Sequence, residues 1–334
     1  MIPYLLIAVF AISFFITGAI RRYALARQLM DIPNARSSHS VPTPRGGGVG
    51  FVVAFPLALP ILVWMGAVDV RGALALGIPG LMVAVLGFID DHGHVAARWR
   101  LLGHFAASMI GLWLLNGLPP VEMAGRVLDL GWVGNVLAVF YLVWMLNLFN
   151  FMDGIDGLAA GEAVFVLFGM AILCPIADEV TLWTPLVLAI ATAAFLIWNF
   201  PPAKIFMGDA GSGFLGITIA LVILGAGWKS PQLLWSGLIL SAVFVTDATV
   251  TLIRRLWQRD RVFEAHCAHG YQRISRRYKS HLKVTLAVGS INILWLFPIA
   301  LWASYEPTGG LTKAVIAYLP LVAVALYFKA GARG

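Results

Sequence analysis

Charge is scarce in this sequence. Only 12% of the 334 residues are Asp, Glu, Lys or Arg, whereas 60% are hydrophobic and the mean hydropathy is +0.87. An average soluble domain carries about 25% charged residues. A chain with so little polar surface cannot cover itself in water, so a soluble globular protein is excluded. The composition predicts a polytopic membrane protein.

Cysteine is also rare, and a leader signature is missing. Cys174 and Cys267 are the two cysteines, and no CxxC occurs, which excludes a disulfide framework and a thiolate zinc site. Residues 1–20 have no basic residue ahead of their apolar core, and Arg21-Arg22 follow it, the reverse of a secretory signal peptide. We therefore expect a retained first helix with its N-terminus outside the cell.

Long apolar runs recur along the whole chain. A helix needs about 20 mostly apolar residues to cross a bilayer and satisfies its own backbone groups there. The sequence predicts an all-α fold, one integral membrane domain over residues 1–334, with eleven membrane helices. They are expected near 2–20, 47–66, 72–89, 99–116, 131–149, 158–176, 182–199, 212–227, 232–253, 284–303 and 311–328.

The basic residues are distributed unevenly among the loops. With eleven helices, 19 of the 23 Lys and Arg residues fall on one side, and only Arg71, Arg126, Lys229 and Lys313 fall on the other. Cytoplasmic loops of membrane proteins carry this excess, so the basic face and the C-terminus are expected in the cytoplasm. The same distribution explains the net charge of +7, so nucleic acid is not expected as a partner.

An acidic segment stands where one apolar run ends. Asn147, Asn150, Asp153 and Asp156 follow one another at intervals of three, with glycines at 154 and 157. Glycine weakens a helix, so we interpret the segment as a helix end leading into a tight, acid-lined loop. Carboxylate and amide oxygens suit Mg²⁺ or Mn²⁺ together with substrate phosphates.

A second acidic pair, Asp90-Asp91, ends another apolar run on the same face. The pair either marks a helix exit or has a function. Acids at a helix C-terminus oppose the helix dipole, and adjacent like charges repel, which favours function. Such a pair can deprotonate a phosphate, attack phosphorus or bind a metal ion.

Asp209 precedes Gly211-Ser212-Gly213, which is expected to open a helix. This segment is either a turn with a helix cap or a phosphate site in which backbone N–H groups receive the phosphate and Asp209 binds a metal. Phe206 lies three residues earlier and is either a membrane anchor or a residue that stacks on a base.

Basic and histidine residues frame two further loops on this face. Arg36, His39 and Arg45 lie in a loop rich in proline and glycine, and His266 and His269 lie in a loop rich in arginine. Basic loops often reflect topology alone. Beside phosphates, however, these side chains can donate hydrogen bonds or act as acids.

Asp247 lies inside an apolar run, where a carboxylate is a functional candidate by default. On a helix it shares a face with Arg254, so a structural ion pair is the competing interpretation. His104 and Glu162, each near a helix start on the basic face, are weaker candidates.

Three motifs together resemble the polyprenyl-phosphate N-acetylhexosamine-1-phosphate transferases. They are Gly87-Phe-Ile-Asp90-Asp91, Asn147-Leu-Phe-Asn150-Phe-Met-Asp153-Gly-Ile-Asp156-Gly-Leu158 and Phe206-Met-Gly-Asp209-Ala-Gly-Ser212. The resemblance extends from Asp31 to His269. It implies an active site formed by cytoplasmic loops and helix ends of a bacterial inner-membrane protein.

The resemblance also implies a reaction. A UDP-activated amino sugar gives its sugar-1-phosphate to undecaprenyl phosphate, and UMP is released, with Mg²⁺ required and Mn²⁺ as an alternative. Asp90 is implied as the residue that activates the lipid phosphate, with Asp91 beside it. Asp209 is implied as the metal ligand, and Asp153 as a catalytic residue near the metal. A homodimer stays open.

The donor site follows from the same resemblance. Asn150, Asp156 and Phe206 are implied in the nucleotide pocket, with Phe206 stacking on uracil. Asn147 and Asp247 are further candidates. The residues implied in sugar and phosphate binding are Arg36, His39, Arg45, His266 and His269.

Two departures from the family pattern narrow the substrate. His94 stands where a third Asp often follows the acidic pair, and the histidine motif reads His266-Cys-Ala-His269 rather than consecutive histidines. Both argue against a MurNAc-pentapeptide donor and favour the branch that initiates O-antigen or other surface polysaccharides. GlcNAc, FucNAc and QuiNAc stay open as the sugar.

A secondary transporter is the main alternative from another class. Transporters place acids and broken helices near the middle of the membrane and often show two related halves. Here the acids gather at one surface and no related halves are visible.

Overall fold

Helices build almost all of the fold. The structure is a computed structural model that describes residues 1–33, 41–93, 95–176, 181–260 and 267–333. The helices in these ranges are α1 (Ile2–Ala26), α2 (Val49–Trp64), α3 (Val70–His92), α4 (Ala97–Leu114), α5 (Gly131–Met152), α6 (Leu158–Leu173), α7 (Trp183–Asn199), α8 (Asp209–Lys229), α9 (Pro231–Leu240), α10 (Ala242–Trp257), α11 (Gly270–Tyr278), α12 (His281–Ile291), α13 (Phe297–Tyr305) and α14 (Gly310–Tyr327).

The all-α membrane fold is confirmed, but the count of eleven spans is not. Among the described residues, seven helical segments are long and apolar enough to cross a membrane, and α9 with α10 forms an eighth if this pair, bent by 66°, is one broken span. Two predicted spans, α2 and α7, have only 16 and 17 residues. Another, α4, begins with Arg98 and Arg100, which lower its hydropathy.

The helix α8 lies at the centre of the bundle. In its most apolar stretch, 94% of the residues are buried by other helices. Its side chains are apolar or small along the whole length, which lets α3 and α5 pack along it. This helix begins at Asp209, so its enclosure fixes the position of one of the predicted site residues.

Short strands and loops organise the face that carries the basic residues. Strand β1 (Met30–Asp31) pairs antiparallel with β2 (Thr43–Pro44). The chain after β2 then runs beside residues 206–207: Phe206 N–H donates to the Pro44 carbonyl at 2.8 Å, and Gly47 N–H donates to the Phe206 carbonyl at 2.9 Å. These backbone bonds hold the loop that carries Arg45 against the start of α8.

The opposite face uses its polar groups for structure. Strands β3 (Val121–Met123) and β4 (Arg126–Leu128) form a hairpin. The buried Glu122 carboxylate accepts hydrogen bonds from Gly125 N–H at 2.7 Å and from Gly310 N–H, at the start of α14, at 3.0 Å. This acid therefore ties the hairpin to α14.

Candidate active site

One arginine joins two of the predicted aspartates. Arg45 Nη2 lies 2.5 Å from Asp209 Oδ1 and 3.0 Å from Asp91 Oδ1. Burial lowers the pKa of Arg45, but Asp209 and then Asp91 outweigh this effect and raise the pKa above its usual range. The loop after β2, the end of α3 and the start of α8 thus meet at one point. We call Arg45, Asp91, Asp153 and Asp209 the charged centre.

Asp91 sits on the N-terminus of α8. Its Oδ2 accepts hydrogen bonds from the backbone N–H groups of Asp209 at 3.0 Å and Ala210 at 3.4 Å. This contact stabilises an anion at the positive end of a helix, and it compensates for the unfavourable place of Asp91 at the C-terminal end of α3. The approach requires Gly87, one turn earlier, because a Cβ there would lie 2.6 Å from the carbonyl oxygen of Asp209.

The start of α8 therefore binds a carboxylate rather than the phosphate that the sequence suggested. Its next two N–H groups, of Gly211 and Ser212, both donate to the Gly208 carbonyl at 3.1 Å. A phosphate at the charged centre would thus be bound by side chains rather than by the first N–H groups of this helix.

Asp153, the remaining member of the charged centre, comes immediately after α5. Burial raises the pKa of this carboxyl well above its usual range; Arg45 opposes the shift, whereas Asp209 and Asp91 add to it. Its neighbour Asn150 donates through Nδ2 to Ser212 Oγ at 3.2 Å, which attaches the end of α5 to α8. Three carboxyl groups therefore surround one guanidinium.

This donor set fits a divalent cation. Among the described residues, no three His, Cys, Asp or Glu side chains form a ready-made metal cage. Mg²⁺, however, usually takes one or two carboxylates and completes its shell with water and substrate phosphate. Asp91 and Asp209 already share one cation, the Arg45 guanidinium, and both are hard oxygen donors.

Asp90 has a separate partner. Arg100 Nη1, at the start of α4, is hydrogen-bonded to Asp90 Oδ2, and Val95 N–H donates to Oδ1 at 2.9 Å. The Asp90 side chain is 7% exposed and the Arg100 side chain 38% exposed. The two adjacent aspartates therefore bind different partners: Asp91 faces α8, and Asp90 faces α4.

A polar cleft of 670 Å³ opens beside the charged centre. Three of the four segments of the centre also contribute to the cleft, through Thr43, Asp156 and Phe206, which lie two or three residues from Arg45, Asp153 and Asp209. Its other lining residues include positively charged side chains at the end of α11 and a histidine at the start of α12. They are Arg276, Lys279 and His281.

Asp156 holds two walls of this cleft together. Its Oδ2 accepts a hydrogen bond from Ala203 N–H at 3.0 Å, and its Oδ1 lies 3.1 Å from His281 Nδ1. Thr285 Oγ1 donates to the Asp156 carbonyl at 2.9 Å. Asp156 thus lines the polar cleft and also connects α12 to the loop before Phe206.

Asp247 organises a second polar cluster, which we call the α11 dock. It accepts hydrogen bonds from the N–H groups of Gly270 at 2.9 Å and Tyr271 at 2.8 Å, and His269 Nδ1 lies 3.3 Å from Oδ1. The side chains of Asp247 and His269 are 12% and 4% exposed. The structural partner of Asp247 is therefore the N-terminus of α11, and the expected pair with Arg254 is not what holds it.

Two further predicted residues, Asn147 and Glu162, form hydrogen bonds that do not involve the charged centre. Asn147 Nδ2 donates to the Val143 carbonyl of its own helix at 2.7 Å. Glu162 is buried in α6 and accepts a hydrogen bond from Asn292 Nδ2 at 2.6 Å. The predictions for Arg36, His39 and His266 fall outside the described residues.

Sequence reasoning missed two partners of the predicted acids. Arg100 was counted only as a basic loop residue, and His281 was not considered. Each is a positively charged or titratable side chain in the first turn of a helix on the polar face. That position is the signal that could have singled them out, because a helix start on the polar face directs such a side chain toward the loops.

The fold and site define an integral membrane protein in which carboxylates around one arginine lie beside a positively lined cleft. A family model described as glycosyl transferase family 4 matches residues 73–227. The chain is 30% identical over 288 residues to a probable undecaprenyl-phosphate N-acetylglucosaminyl 1-phosphate transferase of Bacillus subtilis, covering 84% of this chain and 79% of that protein. The chain therefore belongs to the family of this relative, glycosyl transferase family 4.

Two other relatives represent further branches. The chain is 28% identical over 326 residues to a decaprenyl-phosphate N-acetylglucosaminephosphotransferase of Mycobacterium tuberculosis, covering 88% of this chain and 79% of the relative. It is 33% identical over 245 residues to a phospho-N-acetylmuramoyl-pentapeptide-transferase of Desulforudis audaxviator, covering 64% and 70%. All three names describe sugar-phosphate transferases.

Proposed function

We propose that the protein transfers a sugar-1-phosphate from a UDP-amino sugar to undecaprenyl phosphate. Family membership and the names of the relatives support the reaction class. The observation that carries the proposal is the charged centre itself: Asp91 and Asp209, from different helices, share one cation at the edge of a positively lined cleft. Phosphoryl transfer depends mainly on such positioning and charge neutralisation.

The cleft is the proposed donor site. Arg276 and Lys279 supply positive charge for the pyrophosphate, and Phe206 offers an aromatic face for uracil. Phe206 is held by two backbone hydrogen bonds to the Arg45 loop, so this loop would place the base, whereas the end of α11 would place the pyrophosphate. The polar lining of Asp156 and His281 leaves room for the sugar hydroxyls.

The Asp90–Arg100 pair is the proposed acceptor site. Arg100 would bind the phosphate of the lipid, and Asp90 would take a proton from it. An acceptor oxygen then attacks the phosphorus that carries the sugar, the bond from that phosphorus to the bridging oxygen breaks, and UMP leaves with that oxygen. Both Asp90 oxygens already accept hydrogen bonds.

The lipid tail requires an apolar surface. A second cavity, of 260 Å³ and lined almost entirely by apolar side chains, lies between α10, α11, α12 and α14. Met152, Val284 and Leu321 are among its lining residues. Together with the lipid-facing helices, such a surface supports binding of an isoprenoid chain near the site.

Mg²⁺ is the proposed cofactor, with Mn²⁺ as an alternative. Asp91 and Asp209 would hold it, with Asp153 nearby. When bound, the ion neutralises charge on the pyrophosphate. Arg45 would then be released from one carboxylate to face the donor phosphates.

The sugar and the biological context are further parts of the proposal. The sequence favours an enzyme of the bacterial inner membrane that initiates O-antigen or other surface polysaccharides, with GlcNAc, FucNAc or QuiNAc as the sugar. The N-terminus would lie outside, and the site and C-terminus in the cytoplasm. A homodimer stays a prediction.

The proposal is tested by incubating purified protein with Mg²⁺, undecaprenyl phosphate and a panel of UDP-sugars, and by measuring UMP release. We expect release with one or more UDP-N-acetylamino sugars and none without the lipid phosphate. An inactive panel, combined with substrate movement across vesicles, would instead support a transporter. The broken α9–α10 span is the feature that favours that alternative.

A further inference from the structure

The residues that follow α14 lie against the connection between α10 and α11. Ala330 is fully buried, and its carbonyl accepts a hydrogen bond from Arg254 Nη1, on α10, at 3.1 Å. Gly331 N–H donates to the Ala268 carbonyl, next to His269, at 2.7 Å. A short segment at residues 330–333 thus contacts Ala268, immediately before the α11 dock, and the last turn of α10.

Two arginines extend these contacts. Arg273, on α11, is hydrogen-bonded to the Ala332 carbonyl. Arg333 donates to Asp260 Oδ1 from Nε at 3.0 Å and from Nη2 at 2.8 Å, and Nη2 also donates to the Gln258 carbonyl at 2.6 Å. The segment therefore binds the residues after α10 and the first half of α11 at the same time.

The helix α11 needs such support. It has only nine residues and contains the charged run Arg276-Arg277, so it is too short to be stable without tertiary contacts. Its first turn rests on Asp247, and its last turn presents Arg276 to the donor cleft. Any shift of the first turn would consequently be transmitted along a rigid helix to the cleft.

We propose that residues 330–333 form a positioning strap that fixes α11 and so places Arg276 and Lys279 in the donor cleft. The strap touches neither the charged centre nor the cleft; it acts through α11. The inference about donor binding rests on the proposed function, whereas the inference about the position of α11 does not.

Gly331 offers a sharp test, with a matched control in the same protein. Gly331 has φ +74°, and a Cβ there would lie 2.7 Å from the Thr251 carbonyl oxygen. Gly309, before the other end of α14, has φ +76° but no atom within 4 Å of its Cβ position. Alanine imposes similar backbone strain at both sites, but it pushes only residue 331 away from α10.

The first readout is independent of activity. Cys267 lies next to Ala268 and is partly exposed, whereas Cys174 is fully buried. We expect Gly331→Ala to increase the rate at which a maleimide labels Cys267 by about threefold or more, since local opening governs such access. Gly309→Ala should leave the rate unchanged, and a Cys267→Ser protein supplies the background. Equal labelling rates in the two alanine variants would overturn the strap.

The second readout is the split between kinetic constants. Gly331→Ala should raise the KM for the UDP-sugar about three- to tenfold, with kcat nearly unchanged, because α11 forms one wall of the donor cleft. A fall in kcat alone would contradict a positioning role. If the unaltered protein releases no UMP with any donor, the proposed function fails, while Cys267 labelling still decides the strap.

A milder variant keeps the test valid if Gly331→Ala does not fold. Arg333→Ala removes a partly exposed ion pair, for which a small effect in the same direction is expected. Arg333→Lys should restore part of it, and Arg333→Ala with Asp260→Ala should label Cys267 no faster than either single variant. Additive effects of the two substitutions would show that the pair does not act as one contact.

Discussion

The charged centre and the α11 dock use the same local device for different purposes. In each, an aspartate from one helix accepts hydrogen bonds from the first N–H groups of another: Asp91 on α8 and Asp247 on α11. At the dock, the remaining neighbours are His269 and Thr251, so one carboxylate faces polar groups that satisfy it. An aspartate on a helix N-terminus is therefore not by itself a site of chemistry.

The charged centre differs in its charge balance. Asp209 and Asp153 join Asp91 around a single guanidinium, so acidic groups outnumber basic ones. That excess leaves the centre able to take a further cation, whereas the dock has no such excess. Asparagine substitutions at five aspartates distinguish the two regions, with expected effects that decrease from the charged centre to the dock.

The largest effect is expected at the charged centre. Asp91→Asn and Asp209→Asn should each reduce UMP release by about a thousandfold or more, because each removes a charge that holds the metal and orders Arg45. The protein should still insert and bind undecaprenyl phosphate. Asp129→Asn, an exposed helix-start aspartate at the other end of the bundle, is the control. Near-normal rates in either variant would remove that residue from the mechanism.

The next effect concerns Asp90, which adjoins the charged centre but pairs with Arg100. Asp90→Asn should reduce turnover about a hundredfold or more, because the proton acceptor for the lipid phosphate is lost. Donor affinity, measured by binding of the UDP-sugar, should stay the same. Arg100→Ala should instead raise the KM for the lipid phosphate. Trapping a phosphate on Asp90 would show that it is a nucleophile rather than a proton acceptor.

A pH-dependent effect of intermediate size is expected from Asp153. Burial raises the pKa of its carboxyl, so between the usual and the raised pKa the folded protein holds a proton that the unfolded chain has lost. Without metal, the stability contributed by this proton is present at low pH and disappears as the pH rises through the raised pKa. As the pH rises over the same range, the Mg²⁺ concentration that gives the half-maximal rate should fall.

Asp153→Asn provides the control for this behaviour. The variant has no carboxyl to titrate, so its apparent melting temperature without metal and its Mg²⁺ requirement should both lose this pH dependence. Melting curves in detergent across a pH series, with and without Mg²⁺, measure both proteins. An unchanged pH profile would place the raised pKa on another group.

The smallest effect on chemistry is expected at the dock. Asp247→Asn should lower stability by about 1–3 kcal/mol, because buried N–H groups lose a charged acceptor. The kcat of the folded variant should stay within a few fold of the unaltered protein, while the KM for the donor rises. A loss of kcat as large as that in Asp91→Asn would abolish the distinction between the two regions.

The part of the fold that was predictable is the part set by local composition. The apolar runs gave the positions of the membrane helices because hydropathy is read from neighbouring residues. The number of spans was not settled in this way, since α2 and α7 are shorter than their apolar surroundings suggested and α9–α10 is broken. A break of this kind depends on packing between helices, which a sequence window does not contain.

At the site, too, the features set by the local sequence were predictable and those set by tertiary packing were not. Asp91, Asp153 and Asp209 stand out because acids at membrane-helix ends are costly. The partners of the predicted acids were harder to find because they are distant in the sequence. Arg45 is 164 residues from Asp209, and His281 is 125 residues from Asp156. The sequence also does not show which of two possible partners a group binds. For example, the N–H groups of α8 bind Asp91 instead of a phosphate. Such choices follow from tertiary packing, for which the glycines at the approach of α3 to α8, such as Gly87 and Gly208, are a local signal.

The enclosure of α8 has a consequence for how the protein is made. This helix enters the bilayer as an ordinary apolar segment, yet in the finished bundle almost none of its surface meets lipid. Helices from both earlier and later in the chain must close around it before Asp209 can meet Arg45. A chain stalled during assembly would therefore contain every site residue and still have no assembled charged centre, so it could not consume a nucleotide sugar before the bundle is complete.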